Sequence, residues 1–318
     1  MTGVNPSAKP LTGVEIAGAK RPRYVYESNT MKLSVLQSVS VPARAGSVND
    51  DACGQAPDCA FVIDGATGLG GRILPERHGS DAAWLATFCA KHFERAVKPG
   101  NALPDIVREA CRHAARMVDE AAAGRMVEPW QLPVAGFSML RVEDGKAMIH
   151  GLGDCVLLAM DAAGHLFQHC PMDGQAEAER TYAAKAIAEA GGLSKISSLV
   201  RDEATLRLLR VSRAGYNRDG GNRWLLGTNP NAADHLDSKP VTLTAPFTAL
   251  LMSDGFAALW QSYGRYDAAG FVEAAAARGL DVLVDELRRI ETVEDPDGFV
   301  HPRFKVSDDA TAVLCRVA

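Results

Sequence analysis

The spacing of apolar residues changes several times along the chain, and each change marks an element. Met31 to Val41 alternates, with Leu33, Val35, Val39 and Val41 on one side, and predicts a strand. Pro42 to Val48 predicts a loop carrying Arg44 and Gly46, followed by an acidic turn, Asn49-Asp50-Asp51-Ala52-Cys53-Gly54. Phe61, Val62 and Ile63 form a short β-favouring run that stops abruptly at Asp64-Gly65. Ser80 to Val97 and Pro104 to Ala123 then take helical spacing. Trp84, Leu85, Phe88, Cys89 and Phe93 face inward on the first, and Ile106, Val107, Ala110, Cys111, Ala114, Met117 and Val118 on the second.

From Pro133 the period returns to two. Four strands, Pro133 to Val142, Lys146 to Gly151, Cys155 to Met160 and Gly164 to His169, read as one antiparallel meander, with hairpin turns at Asp144-Gly145 and Ala163-Gly164. Residues 171 to 240 lose this regularity. A helix over Gln175 to Ala190 and a short strand at Trp224 to Gly227 stand out from an otherwise irregular insertion. Strands at Val241 to Thr244 and Phe247 to Met252 lead to Asp254-Gly255. Helices over Phe256 to Tyr263, Asp267 to Arg278 and Asp281 to Glu291 follow, and Thr311 to Val317 closes as a strand. Strand-rich segments at both ends with helices between them predict an α+β fold: a central antiparallel β-sandwich flanked by helices on both faces. Residues 1 to 30 lack periodicity and read as a flexible arm, leaving 31 to 318 as one domain.

Composition adds constraints. A net charge of −5 over 318 residues argues against nucleic acid as the main partner. No apolar run reaches bilayer-spanning length, so no membrane association is expected, and no secretory signal is read at the start. Seven scattered cysteines without a Cys-x-x-Cys pair read as reduced thiols in a cytoplasmic protein.

The candidate chemistry lies where strands stop. Asp64, Asp254 and Asp308 each stand at a strand–loop junction, and Asp50 and Asp51 stand at another. Gathered without a counter-charge they would raise one another's pKa values; two divalent cations would keep them ionised. An all-oxygen set without a Cys/His cluster points to Mn²⁺ or Mg²⁺. A water bridging two such ions is a nucleophile for in-line attack on phosphorus. Glycines 65, 68, 70 and 71 lack the Lys-Ser/Thr of a nucleotide loop. His78 reads as a surface loop residue, and Ser253, without a Gly-x-Ser-x-Gly frame, as a strand-edge hydroxyl.

The order Asn49-Asp50-Asp51-Ala52, Val62-Ile63-Asp64-Gly65, Gly153-Asp154-Cys155, Met252-Ser253-Asp254-Gly255, Asp308-Asp309-Ala310-Thr311 resembles the metal-dependent, type-2C (PPM) serine/threonine protein phosphatases over Met31 to Val317. The resemblance implies hydrolysis of phosphoserine and phosphothreonine in phosphoprotein substrates, with Asp50, Asp64 and Asp254 in the catalytic centre. Asp64 would bridge both metals, the Gly65 carbonyl would bind one, Asp254 and Asp308 would complete one metal's protein ligands, and Asp51 would hold the shell of the other. Asp50 would act through metal-bound water, and Asp154 would belong to a weaker third site. Residues 171 to 240 would contain the flap that governs substrate access. The chain also departs from the family. Gly46 stands where a phosphate-binding Arg is usual, with Arg44 two residues earlier as its candidate replacement. Ala66 stands where many relatives have His, Ala258 replaces a third-site carboxylate, and Asp309 replaces Asn. Two further readings stay open: a regulatory protein that binds metal or a partner without turnover, and a two-metal phosphatase of small phosphate esters.

Overall fold

The structure is a computed structural model that describes residues 31–318, apart from 173–175, 197, 200–201 and 222. The expected arm, 1 to 30, lies outside the described residues. Among the described residues ten strands form two five-stranded antiparallel sheets. The first runs in the order β1 (Leu33–Val41), β10 (Ala310–Val317), β9 (Phe247–Met252), β6 (Val156–Asp161), β7 (Leu166–His169). The second runs β2 (Ala52–Ala56), β3 (Cys59–Gly65), β4 (Ala135–Glu143), β5 (Lys146–Leu152), β8 (Asp237–Pro240). Between the sheets lies an apolar layer that includes Val62, Leu140, Leu157, Leu251 and Val313.

Helices cover both outer faces. Helices α1 (Asp81–Ala96) and α2 (Leu103–Ala122) pack Leu85, Phe93, Ile106 and Val107 onto Phe61, Phe137 and Met139 of the second sheet. Helix α1 starts where Ser80 Oγ accepts from the Ala83 amide at 2.8 Å, an N-cap. Among the later helices, α6 (Asp254–Gln261), α7 (Ala268–Arg278) and α8 (Leu280–Arg289) pack Phe256, Phe271 and Leu287 against the first sheet. The expected α+β sandwich with helices on both faces is the observed architecture.

The structure departs from expectation in the connections. The four segments expected to form one meander divide between the sheets: β4 and β5 pair in the second, β6 and β7 in the first. The chain crosses at Gly153-Asp154-Cys155, where Gly153 has φ +80° and packs against the Gly136 backbone. Alternation tells which face of a strand is apolar, but not which neighbour it pairs with.

Strand β2 occupies what read as an acidic turn. Its small residues, Ala52-Cys53-Gly54-Gln55-Ala56, give no alternation, and its place depends on a partner: Gly54 lies opposite Phe61, and a Cβ there would stand 2.5 Å from the ring. Strand β8 precedes the predicted Val241 to Thr244. The insertion is more helical than expected, with α3 (Ala176–Ala190), α4 (Leu193–Ile196) and α5 (Glu203–Ala214). Trp224 to Gly227 contributes a single bridge, Leu226 to Ala135.

Candidate metal centre

The ends of β3 and β9 and the loops before β2 and β10 meet at one edge of the sandwich. There Asp64, Gly65, Asp154, Asp254 and Asp308 line a cavity of about 170 Å³, together with Arg213, Arg223 and Lys305. A larger cavity of about 240 Å³ adjoins it and shares Asp154, Asp254, Lys305 and Asp308; Ala258 also lines it.

The acidic segments are fastened to one another through the backbone. Asp309 accepts hydrogen bonds from the amides of Ala43, at 2.7 Å, and Asp50, at 2.8 Å. It therefore ties the loop after β1 to the segment before β10. The Asp254 amide donates to Asp64 Oδ2 at 3.3 Å, joining the tips of β9 and β3. Asp50 Oδ1 accepts from the Ser80 hydroxyl, which anchors it to the start of α1. Ser253 is buried and spans β9 and β10: its amide donates to the Thr311 carbonyl at 2.9 Å and its Oγ accepts from the Thr311 amide at 3.0 Å.

Both Asp-Gly pairs solve the same packing problem. A Cβ on Gly65 would stand 2.2 Å from the Asp50 carbonyl oxygen, and one on Gly255 would stand 2.0 Å from that of Asp309. Each glycine lets its own strand end lie against an Asp-Asp segment from elsewhere in the chain. Gly136 does likewise for Asp154, whose Oδ1 would lie 2.9 Å from an added Cβ.

The carboxyl groups respond to this crowding. Burial, then the charges of Asp308, Asp309 and Asp254, raise Asp51 well above the usual carboxylate range, against a lowering hydrogen bond from Ser253. Asp64 is raised by burial and then by Asp254, Asp51 and Asp154. The Asp254 side chain opens onto the cavity, yet the surrounding protein, followed by Asp154 and Asp308, pushes it up to about 7. Asp50 is raised by burial and by Asp309, while Ser80 opposes the shift.

Two features bear on a metal. Asp51 Oδ2 is buried and has no hydrogen-bond partner, an arrangement a cation would relieve. The donor set is all oxygen, suited to hard divalent ions. The side chains thus fit Mn²⁺ or Mg²⁺ in kind. Among the described residues, however, no three His, Cys, Asp or Glu groups form a ready-made cage. Lys305 stands inside the ring instead. Its ammonium is 2.7 Å from Asp308 Oδ1 and 2.7 Å from Thr67 Oγ1. Burial would lower its pKa, but Asp308 and Asp254 more than reverse that and hold it charged.

Sequence reasoning missed Lys305 and Arg213. Lys305 lies in a polar loop, and Arg213 opens a glycine-rich stretch, so neither carries a local signal. Arg44, the candidate phosphate ligand, is exposed on the loop after β1 and lines neither cavity. Neither does His78.

Several solved structures share this architecture. The catalytic domain of the serine/threonine protein phosphatase PstP, in complex with two manganese ions, superposes with a TM-score of 0.51 at 15% identity, covering 91% of this chain and 100% of that one. The chain has the fold of the metal-dependent serine/threonine phosphatases. A bacterial serine phosphatase with this fold gives a TM-score of 0.51 at 14% identity, over 91% of this chain and 98% of its own. The PPM phosphatase MsPP from Mycobacterium smegmatis gives 0.49 at 18% identity, over 89% and 98%. No family model and no curated protein matches the chain by sequence.

Proposed function

We propose that this chain is a metal-dependent phosphatase that hydrolyses phosphoserine and phosphothreonine in proteins, using two divalent cations, Mn²⁺ or Mg²⁺. The supporting observation is the convergence of Asp50, Asp51, Asp64, Asp254 and Asp308 from four separate segments, with one buried carboxylate oxygen left without a partner. The two manganese ions bound by PstP, which has the same fold, support the same reading.

In this reading Asp51, Asp64, Asp254, Asp308 and the Gly65 carbonyl hold the ions, and Asp154 at the cavity edge suits a weaker third one. Bound divalent cations supply Lewis acidity and make water nucleophilic near neutral pH. The chain's own part is positioning. Asp309 and the two glycines fix the carboxylates against one another before any ligand arrives. Asp50 is oriented by Ser80. Ala66 offers no proton to a departing serine or threonine oxygen, and water held by the bound cations could serve instead.

Residues 31 to 318 act as a single catalytic domain, with 171 to 240 as a flap beside the site. Among the described residues no cysteine forms a disulfide and no helix is long and apolar enough to cross a membrane.

The test is release of phosphate from phosphothreonine and phosphoserine peptides with Mn²⁺, alongside EDTA-treated protein and Asp64→Asn. Activity that survives both EDTA and Asp64→Asn refutes the reading. One observation favours the second, regulatory reading: the Lys305 ammonium already neutralises a would-be metal ligand, Asp308. Folded protein that binds Mn²⁺ but releases no phosphate from any peptide or small ester would select it.

A further inference from the structure

The small cavity is lined by cations as well as acids. Arg213 comes from the last turn of α5 and reaches the loop that follows Asp64-Gly65, where its Nη1 donates to the carbonyls of Thr67, at 2.7 Å, and Ala66, at 3.4 Å. Its hydrogen bonds are to backbone oxygens, and the carboxylate whose charge acts on it is Asp50. Its Nε is buried and has no hydrogen-bond partner. Lys305 grips the same residue from the other side, through the Thr67 hydroxyl. Two cations from distant segments therefore converge on Thr67, two positions beyond Gly65.

A phosphoryl group carries three oxygens that seek charged donors, and a guanidinium offers its donors in a planar fork. Arg213 lines the cavity together with Asp64, Asp254 and Asp308, and its buried Nε–H is a donor without an acceptor. Arg223 lines the same cavity but is engaged with Tyr216, over whose ring its guanidinium lies at 5.1 Å.

We propose that Arg213, with Lys305 across Thr67, binds the phosphoryl oxygens of the substrate, so that the inserted segment supplies the role vacated near Gly46. The inference rests on the phosphate-ester reading of the site. It also makes α5 a substrate-binding element as well as a cover.

The experiment measures binding of inorganic phosphate to the Mn²⁺-loaded full chain by calorimetry, with Mn²⁺ affinity and melting temperature measured on the same samples. Arg213→Met is expected to weaken phosphate binding at least tenfold while leaving Mn²⁺ affinity within about twofold, and Arg213→Lys to recover part of the loss. Arg210→Met is the control for disturbing the insertion. Arg210 holds the Leu69 carbonyl and lies over Trp130, outside the cavity, and its loss should leave phosphate affinity unchanged. The proposal is overturned if Arg213→Met binds phosphate as the parent does, or if it loses Mn²⁺ together with phosphate. It is equally overturned if Arg44→Met alone abolishes phosphate binding, or if the loaded parent binds no phosphate. Peptide turnover by the parent is scored separately. Turnover with phosphate binding indifferent to Arg213 sinks this inference and spares the phosphatase. Arg213-dependent phosphate binding without turnover does the reverse.

Discussion

Replacing Gly65 by alanine tests how the centre is assembled. The added Cβ would stand 2.2 Å from the Asp50 carbonyl oxygen and 3.1 Å from that of Ala82. Ordinary contact between a methyl carbon and an oxygen needs well over 3 Å, so about 1 Å of movement is forced. The obstructing atom is backbone and has no rotamer escape. Such overpacking costs about 1–3 kcal/mol, which in a chain of this size lowers Tm by roughly 2–5 °C. The displaced segment carries Asp50 and Asp51, so the carboxylates lose register with Asp64. Mn²⁺ affinity should fall at least about tenfold, or about 1.4 kcal/mol. Gly68→Ala is the control. Gly68 is exposed, a Cβ added there would meet nothing within 4 Å, and its backbone needs no positive φ. That variant should stay within about 1 kcal/mol of the parent. Differential scanning fluorimetry and Mn²⁺ calorimetry on the two variants decide the matter. Equal melting temperatures and equal Mn²⁺ affinities for both would refute the argument.

Other outcomes follow from the same geometry. Asp309→Ala strips the acceptor from the Ala43 and Asp50 amides and should cost about 2–4 kcal/mol, while Asp309→Asn, which keeps one acceptor oxygen, should cost less; urea denaturation measures both. Lys305→Met removes the ammonium that competes at Asp308, so Mn²⁺ should bind more tightly, by a few-fold; weaker binding in calorimetry would refute competition. The pH dependence has a definite sign. Asp51, Asp64 and Asp254 have raised folded pKa values, so between the ordinary carboxylate range and about 7 the folded protein holds protons that the unfolded chain has lost. Stability of metal-free protein therefore falls as pH rises through that window. Mn²⁺ should restore more stability at pH 8 than at pH 5, and a flat metal-free melting curve would contradict the raised pKa values.

The sandwich was legible because its strands contain apolar runs bounded by turn residues and its outer helices carry full stripes, as in Phe61-Val62-Ile63 and Trp84 to Phe93. The acidic positions were legible as interruptions of those runs. What remained hidden depends on partners distant in sequence. Strand β2 exists because Gly54 makes room for Phe61. The division of the meander depends on Gly153 lying against Gly136. Helix α5 keeps only Thr205 buried and leaves Leu208 and Val211 exposed, so its apolar residues do not mark a place in the core. Arg213 and Lys305 have no local signature, because nothing near them in sequence reveals that both end beside Thr67.

The tie between Asp50 and Asp309 spans 259 positions of sequence. Bringing such distant segments together costs loop-closure entropy during folding. A fragment severed between them carries acids but no centre, and an incompletely folded chain is in the same condition. On the proposed reading of the centre, uptake of a divalent ion would then gauge whether folding has run to its end.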